Sequence, residues 1–372
     1  MPTFPGSSEF LGPLFHVKDL HQRSQELKGC REVVVIGGNK SAWDVCYSVA
    51  SSGARAHMVI RRSGGSPSRV WRPICLLGIK LTLARLSSTR LFTWFDPSPF
   101  GSSFSSIRRF LQETILGVWL SLAFWAVLDF LAAAATGYSD LRLEMLRPWT
   151  SIFWMGNSPG IHSYETDWFE FVRNGRIVVH YADVLSLGET AVKLSDSSSL
   201  KADATVCCTG WKCTPPINFK PEGLSQEMGP PREAEFCKPD LIKGSRDDSH
   251  PFRYETINIP LLLDSKEAPY NLYRFLVPQS PRFLKQRNIA FIGMHRSVHA
   301  MIVAQAQALW VTAFFENHLR KELDPETVYR STISHAEYER LRRPRESGGS
   351  GASCSIVYLI RICSWRIWDC AR

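Results

Sequence analysis

The sequence lacks the cysteine pattern of a disulfide framework. Its ten cysteines are spread over 372 residues and include no C-x-x-C pair. Cys207 and Cys208 lie within an apolar run, which indicates small core residues in a reducing compartment. Met1 is not followed by a basic and apolar leader, so no secretory signal is predicted and a cytoplasmic location is expected.

The sequence also lacks any run of Lys and Arg with interleaved aromatic residues, so no nucleic-acid-binding surface is predicted. Its net charge is nevertheless +9. That charge suits anionic ligands such as phosphorylated cofactors and permits weak contact with anionic membranes. The alternative interpretation is that it serves solubility alone. The length allows two domains, each large enough to bury its own core.

Residues 33–60 have the pattern of a strand, a glycine turn, a helix and a second strand. The run Val33–Ile36 predicts a parallel strand that is buried on both faces, and Ala56–Ile60 predicts the second strand. Gly53 suits the left-handed position after a helix end. The helical face is predicted to consist of Ala42, Val45, Cys46 and Val49. The predicted fold class is therefore α/β, with a Rossmann-like βαβ unit.

The turn of this unit departs from the G-x-G-x-x-G pattern. Gly37 takes the first position, Asn39 the second and Ala42 the third. A small residue at the third position still permits close packing of helix on strand, and Asn tolerates left-handed conformations. The residues expected to bind a pyrophosphate at the helix N-terminus are Gly37, Gly38, Asn39, Lys40, Ser41 and Ala42.

Two arginines follow the second predicted strand. An NAD site requires Asp or Glu at this position for the ribose 2′-hydroxyl, whereas the sequence has Arg61 and Arg62. Guanidinium groups suit the 2′-phosphate of NADPH, so NADPH is the predicted cofactor. The alternative is a structural βαβ turn followed by two solvated arginines.

Phe10, Gly12 and His16 form an F-x-G-x-x-x-H segment before the first predicted strand. This segment, followed by a dinucleotide-binding turn, resembles the flavin-containing monooxygenases and the related Baeyer–Villiger monooxygenases. The resemblance implies that the segment joins an FAD domain to an NADPH domain. It also implies a catalytic role for His16, which would help to arrange the nicotinamide and the flavin. Leu20 stands where the first group usually has Tyr or Phe and the second usually has Trp.

The resemblance implies a domain organisation as well. Residues 1–29 would be the interdomain linker and a remnant of the FAD domain. Residues 30–208 would form the NADPH-binding domain, with a helical insertion near 63–150. Residues 209–345 would form the C-terminal part of the FAD and substrate domain. Residues 346–372, after a Gly- and Ser-rich spacer, form a tail without an assigned place.

Two further segments resemble cofactor-binding parts of these monooxygenases. Thr209 and Gly210 end a predicted buried strand and are similar to the point where the chain returns to the FAD domain. Ile289–Gly293 is predicted to be a strand, and Met301–Phe315 is predicted to be a helix. In the family such a strand and helix pack beside the flavin, which makes Gly293 and Gln305 cofactor candidates.

No metal site is predicted. His295 and His299 have the i, i+4 spacing of a metal-binding pair on a helix. The sequence has neither an H-E-x-x-H arrangement nor a third ligand near them. The pair is therefore not assigned to a metal.

The most apolar stretch is Leu116–Ala135, which approaches the roughly 20 residues that a membrane span needs. Asp129 lies well inside it, where a charge costs about 2.5–3.5 kcal/mol on insertion scales. A core helix is predicted, and membrane contact is the alternative. Upstream of this stretch, Ile74–Leu86 is also predicted to be helical.

The residues before Phe10 contain no strand and no glycine fingerprint, so the N-terminal FAD-binding Rossmann half is expected to be missing. The resemblance implies an NADPH- and FAD-dependent monooxygenase, truncated in its gene model or decayed. Such an enzyme inserts one oxygen atom from O₂ into a small organic substrate of the secondary-metabolite kind. The alternatives are an NADP(H)-binding module without flavin or oxygenase activity and a membrane-attached interaction protein.

Overall fold

A computed structural model gives the structure of the protein. It describes residues 1–61, 105–149, 164–210, 217–230, 271–294, 300–319 and 322–332, with shorter pieces between 67 and 96 and between 151 and 160. The sequence predictions that lie outside the described residues are those for Arg62, His295, His299 and 346–372.

Strands and helices alternate in the first part of the chain, and the longest helix, Ile115–Thr136, lies in the middle. The strands are β1 Leu14–His16, β2 Glu32–Ile36, β3 Arg55–Ile60, β4 Arg69–Val70, β5 Ile74–Leu76, β6 Ile79–Leu81, β7 Pro159–Gly160, β8 Ile177–Tyr181, β9 Val184–Leu187, β10 Ala191–Leu194, β11 Ser199–Lys201, β12 Ala204–Cys207, β13 Leu272–Tyr273 and β14 Val277–Pro278. The α-helices are α1 Leu20–Arg23, α2 Lys40–Ser51, α3 Arg90–Trp94, α4 Ser105–Glu113, α5 Ile115–Thr136, α6 Trp168–Arg173, α7 Leu224–Met228, α8 Pro281–Gln286 and α9 Ala300–Phe315.

The main sheet has five strands in the order β1-β12-β2-β3-β8, and every neighbouring pair is parallel. Strand β2 lies in the middle, between β12 and β3. Strands β3 and β8 pair directly, although more than a hundred residues, with α4 and α5, separate them along the chain. The predicted α/β class with a Rossmann-like parallel sheet and helices between β3 and β8 is confirmed.

Both faces of β2 are buried, as its β-branched run predicts. Val33 and Val35 belong to one hydrophobic cluster, which they share with the inner face of α2. Val34 and Ile36 belong to a second cluster, on the side of the β9–β11 sheet. The predicted helical face is also confirmed, because Ala42, Val45, Cys46 and Val49 are all buried.

The chain leaves α2 through Gly53, as predicted. Its φ of +94° lies in the left-handed region that glycine adopts most readily. Strand β3 then begins at Arg55, whose backbone N–H donates to the carbonyl of Arg31. The βαβ unit therefore follows the predicted course over 33–60.

The prediction of a helix over Ile74–Leu86 is wrong. Strands β5 and β6 form an antiparallel hairpin here, in which Leu76 pairs with Ile79. Gly78 has a φ of +78°, which permits the tight reversal between the two strands. A short apolar segment can serve either structure, and here the glycine turn favours the hairpin.

The apolar stretch forms the 22-residue helix α5, which Gly137 ends in a left-handed conformation. Ser121, Trp125, Leu128 and Ala132 on one side are buried, whereas much of the opposite side is exposed. The helix therefore differs from the predicted core helix. Within the described residues, α5 is the one helix that is long and apolar enough to cross a membrane.

The described residues after 217 have a hydrophobic cluster of their own. It contains Tyr273, Leu276, Val277, Leu284, Trp310, Val311, Phe314 and Val328. The predicted helix Met301–Phe315 is confirmed as α9. The prediction of a strand over Ile289–Gly293 is wrong. Among the described residues this segment has one hydrogen bond to another backbone group, from Phe291 N–H to Leu276 O at 2.7 Å, and no strand partner.

Candidate dinucleotide site

The carboxyl edge of the main sheet gathers most of the predicted site residues. Because the strands are parallel, their carboxyl ends meet at this edge. His16 ends β1, Gly37 follows β2, Arg61 follows β3 and Thr209 lies just beyond β12. The chain runs from β2 outward to β3 and β8 and returns as β12 on the other side of β2. Ligands of open parallel sheets bind at such a reversal of strand order.

Gly37 makes the turn between β2 and α2 possible for two reasons. Its φ of +143° is one that residues with a side chain rarely adopt. A Cβ atom on Gly37 would also overlap the carbonyl oxygen of Cys208 and lie 3.1 Å from the Cys208 Cβ. The Gly37 N–H donates to the Val59 carbonyl at 2.8 Å. The turn therefore packs closely between the ends of β3 and β12.

Asn39 is the residue that precedes the first turn of α2. Its φ of −92° and ψ of 177° are extended, so the left-handed conformation considered from the sequence is adopted by Gly37 instead. The Asn39 carbonyl accepts from the backbone N–H of Ala42 and of Trp43, but its side chain does not cap the helix. The first N–H groups of a 12-residue helix are therefore open to an anion at this end.

Trp43 holds the turn from the core side, and the sequence analysis did not identify it. Its indole N–H donates to the Gly38 carbonyl at 3.1 Å. Its own carbonyl accepts from the indole N–H of Trp168 at 3.0 Å, and the two ring centroids are 4.0 Å apart. The aromatic residue one turn into the helix after N-K-S-A was the available signal.

Lys40 is engaged with its own helix. Its ammonium forms an ion pair with Asp44, one turn along, and lies 5.1 Å from the ring centroid of Tyr164. The Tyr164 hydroxyl donates to Asp44 at 2.8 Å. Burial and this hydrogen bond raise the pKa of Tyr164. Tyr164 also stacks on Tyr47, at 4.4 Å between centroids, so one aromatic wall borders the lysine.

Arg61 is exposed at the tip of β3. The backbone reaches it directly after Ile60, whose carbonyl accepts from the Ala182 N–H. Its side chain therefore stands at the carboxyl edge, next to the Gly37 turn in strand order. Arg62, the second predicted arginine, lies outside the described residues, as do residues 63–66. Ser41 is half-buried and Ala42 is fully buried.

His16 joins the edge strand to the segment after β12. Its Nε2 lies 2.9 Å from the Gly210 carbonyl oxygen, and its Nδ1 accepts from the Lys18 N–H at 3.2 Å. With Nδ1 as the acceptor, the proton is on Nε2, which donates to Gly210. Gly210 has a φ of +89°. Thr209 and Gly210 are exposed, whereas His16 is 6% exposed.

The other two residues of the F-x-G-x-x-x-H segment, Phe10 and Gly12, pack against the strands of the protein core. Phe10 is buried in the cluster beneath β9–β11. Gly12 lies against the backbone of Asp203, where a Cβ would overlap the Asp203 carbonyl oxygen. The glycine thus lets the chain pass close beside the start of β12 before it enters β1.

A connection from the turn to α5 was also not identified from the sequence. The Ser68 N–H donates to the Gly38 carbonyl at 2.9 Å. The next residue, Arg69, is buried and forms a 2.8 Å ion pair with Asp129 of α5. Burial lowers the pKa of Arg69, and the Asp129 carboxylate opposes that shift. The charge inside the apolar helix was the one available signal that α5 meets a buried partner.

Two buried thiols lie behind the turn. Burial raises the pKa of Cys46 and of Cys208, and a neighbouring cysteine raises each further, Cys208 for Cys46 and Cys207 for Cys208. Burial raises the pKa of Cys207 to about 11. These cysteines are therefore thiols that fill core space and not reactive thiolates, as their apolar sequence context indicates.

Gly293 and Gln305 lie in the part of the chain after 217, which has a hydrophobic cluster of its own. Gly293 has a φ of +84°, and its N–H donates to the side chain of Gln307 at 3.4 Å. Gln307 is buried, whereas Gln305 is exposed on α9. The buried amide that touches the glycine is thus two residues away from the predicted one.

A cavity of about 1170 Å³ lies at the opposite, amino edge of the sheet. It is bordered by the start of β2 and β3 and by the end of α2, and its walls include Lys28, Arg31, Arg55 and Arg176. None of the predicted site residues borders it. Among the described residues, no group of three His, Cys, Asp or Glu side chains has the arrangement of a metal site.

No family model matches the sequence. Similar proteins include the FAD-dependent monooxygenase resA of Aspergillus sclerotiorum, 31% identical over 343 residues, and rstn6 of Aspergillus nomiae, 30% identical over 357 residues. An FAD-dependent monooxygenase of Pyrenophora dematioidea is 30% identical over 346 residues. Each comparison covers 86% of this chain but 59%, 58% and 61% of the relative. The chain thus spans about three-fifths of the length of the curated relatives it matches.

Two solved structures are also similar. Tmm from Pelagibacter sp. strain HTCC7211 has a TM-score of 0.39 and is 13% identical, with 91% of this chain and 47% of that chain covered. An oxidized steroid monooxygenase bound to NADP has a TM-score of 0.32 and is 14% identical, with 56% of this chain and 44% of that chain covered.

Proposed function

We propose that this chain, a homologue of FAD-dependent monooxygenases, binds NADPH at the carboxyl edge of its parallel sheet as part of such an enzyme. The reaction would insert one oxygen atom of O₂ into a small organic substrate of the secondary-metabolite kind. The observation that carries the proposal is the Gly37 turn, which leads from a buried central strand into the uncapped N-terminus of α2 at the reversal of strand order.

The residues present fit the pyrophosphate of a dinucleotide. Because Gly37 has no Cβ, the chain can turn close beside the Cys208 carbonyl oxygen and enter α2 directly. Asn39 adopts an extended conformation, and its side chain does not cap α2. The backbone N–H groups of residues 40 and 41 can therefore bind phosphate oxygens. The partial positive charge of a helix N-terminus adds to this attraction.

The residues also fit the 2′-phosphate that distinguishes NADPH from NADH. Arg61 presents an exposed guanidinium at the end of the strand next to the turn. A guanidinium can donate two parallel hydrogen bonds to a phosphate. Lys40 would contribute charge near the phosphates only by leaving its ion pair with Asp44.

His16 would act by orientation. Its ring bridges the end of β1 and the Gly210 carbonyl, so it holds the segment after β12 beside the turn. In the observed hydrogen bonds its Nδ1 is an acceptor and its Nε2 a donor, so both ring nitrogens have partners. When bound, NADPH supplies a hydride and FAD supplies the chemistry with O₂.

A second candidate is an NADP(H)-binding module without flavin. The observation that favours it is that Gly37–Asn39 is the one glycine turn, within the described ranges, that leads from a parallel strand into a helix. FAD would need a second glycine turn of this kind to bind its pyrophosphate. Free thiols at Cys30, Cys46, Cys207 and Cys208 support a reducing, cytoplasmic location for either candidate.

The test uses the full chain as purified. We expect it to bind NADPH more tightly than NADH in calorimetry, to carry flavin absorbance, and to couple NADPH consumption to oxygen uptake. Colourless protein that binds NADPH, and that stays colourless and inactive when FAD is added, would support the module without flavin. Failure to bind NADPH would contradict both candidates.

A further inference from the structure

Helix α5 lies along the protein over its whole length. The residues it buries are Gly117, Ser121, Trp125, Leu128, Ala132 and Thr136, which recur every three or four positions. This spacing makes one continuous stripe from the first turn to the last. At the N-terminal end, a Cβ on Gly117 would overlap the carbonyl oxygen of Phe110, so α4 and α5 touch backbone to backbone.

All three side chains of α5 with oxygen atoms point into the protein. The Ser121 hydroxyl donates to the Leu111 carbonyl at 3.2 Å. Asp129 forms its ion pair with Arg69 and accepts from the Ile152 N–H. Thr136 is 1% exposed and donates to the Ala132 carbonyl at 2.8 Å. The helix therefore leaves no hydroxyl or carboxylate on its outward side.

The outward side consists of large apolar residues. They are Leu116, Trp119, Leu120, Leu122, Val127 and Phe130. Trp119 is 67% exposed and Phe130 is 70% exposed. The indole N–H of Trp119 is the one polar side-chain group on this outward side. A protein interface carries about one hydrogen bond per 100–200 Å², whereas acyl chains need none, so this surface suits lipid better than a protein.

The charge of the surrounding segment has the sign that an anionic surface attracts. Residues 61–149 contain 11 Lys and Arg residues and 5 Asp and Glu residues, a net charge of +6 out of +9 for the whole chain. Basic residues near an apolar helix bind the headgroups of anionic lipids, and Trp prefers the interface between headgroups and acyl chains.

We infer that α5 docks this protein on the surface of an anionic phospholipid bilayer. The helix lies in the interfacial plane, with Trp119 and Phe130 inserted and the Asp129 side held on the protein. Because its inward stripe stays buried on the domain from Gly117 to Thr136, the helix does not cross the bilayer. This inference is independent of the cofactor and of the proposed reaction.

The test measures cosedimentation of the full chain with vesicles. One set consists of phosphatidylcholine and the other of phosphatidylcholine mixed with phosphatidylserine. We expect binding to the mixed vesicles that weakens with salt, and weaker binding to phosphatidylcholine alone. The double variant Trp119→Glu/Phe130→Glu should lower the partition into mixed vesicles by about tenfold or more, because it replaces the inserted groups by charges.

Leu185→Glu is the matched control. Leu185 is 55% exposed on β9, so its replacement adds a charge and removes an exposed apolar side chain elsewhere. It should leave vesicle binding unchanged. Circular dichroism of the double variant, and the single variant Trp119→Glu, separate a lost contact from a lost fold.

Several results would overturn the inference. Failure of the wild-type chain to bind either set of vesicles would refute it, and so would binding of the double variant equal to that of the wild type. Equal binding to both sets would refute the anionic surface. Resistance to extraction by alkaline carbonate would indicate a spanning helix. A dimer in light scattering that the double variant converts to a monomer, without vesicle binding, would assign the surface to a second copy of the chain.

Discussion

Gly37 and Cys208 approach each other so closely that a methyl group on Gly37 would overlap the Cys208 carbonyl oxygen. We therefore expect Gly37→Ala to be destabilising, since it adds this overlap to an unfavourable φ of +143°. The loss of unfolding free energy should be about 2–4 kcal/mol, and NADPH affinity should fall with it. Urea unfolding and calorimetry measure the two effects.

Gly53→Ala is the control for backbone strain alone. Gly53 has a φ of +94°, but a Cβ there has no neighbour within 4 Å. Its replacement should cost only about 1–2 kcal/mol, the price of a left-handed alanine, and leave NADPH affinity unchanged. Equal losses of NADPH affinity in Gly37→Ala and Gly53→Ala would contradict a role of the Gly37 turn in binding NADPH.

The exposed guanidinium at the tip of β3 is expected to select NADPH. Arg61→Gln should weaken NADPH binding by about 10- to 150-fold, the value of one charge-assisted hydrogen bond to a phosphate, and leave NADH binding nearly unchanged. Arg55→Gln, at the other end of the same strand, is the matched control and should alter neither cofactor. Titration of both nucleotides checks the ratio, and a parallel loss for NADH would refute the 2′-phosphate assignment.

A polar chain crosses three strands on one face of the sheet and should make stability depend on pH. His57 Nδ1 lies 3.0 Å from His180 Nε2, and His57 Nε2 lies 2.9 Å from Glu32. Burial, and then His57, lower the pKa of His180, whereas Asp196 opposes them. The folded chain therefore binds a proton at His180 less readily than the unfolded chain.

The sign of the effect follows from this difference. Well above the ordinary histidine pKa of about 6.5, His180 is neutral in both states, and its titration does not change the free energy of unfolding. As the pH falls below that value the unfolded chain takes up the proton first, so stability declines. Urea midpoints at about pH 8 and pH 5.5 should differ more for the wild type than for His180→Gln. The exposed His21→Gln should behave as the wild type does.

The buried ion pair between Arg69 and Asp129 should be essential for the attachment of α5. Asp129→Asn leaves the 8%-exposed Arg69 side chain without its counter-charge, and we expect a loss of about 2–4 kcal/mol in unfolding free energy. Glu326→Gln, which breaks an exposed pair with Arg330, should cost less than about 0.5 kcal/mol. Comparable losses in thermal or urea unfolding would contradict a buried role for Asp129.

The local pattern was sufficient to predict the βαβ unit. The β-branched run of β2, the 3.6-residue spacing of α2 and Gly53 each specify their conformation from residues close in sequence. Ile74–Leu86 was mispredicted because the glycine at 78 and the pairing of Leu76 with Ile79 outweigh weak helical spacing. The prediction of a strand over Ile289–Gly293 failed because a strand needs a hydrogen-bonded partner. The apolar composition of a segment does not show whether such a partner is present.

Much of the candidate site depends on contacts between distant residues. His16 and Gly210 are 194 positions apart, so a hydrogen bond between them cannot be read from spacing. Lys40 was expected at a phosphate, but a carboxylate one turn away and the ring of Tyr164 already engage it. The contact of Ser68 with Gly38 likewise follows from the tertiary fold.

Trp43 places an indole N–H on the Gly38 carbonyl while its own backbone accepts from Trp168. The shape of the Gly37–Asn39 turn therefore depends on two rings that lie tilted against each other and are buried from solvent. Replacing Trp168 by Phe would remove the donor to the Trp43 carbonyl, so a substitution in the core would change the shape of this turn without changing any residue of the turn itself.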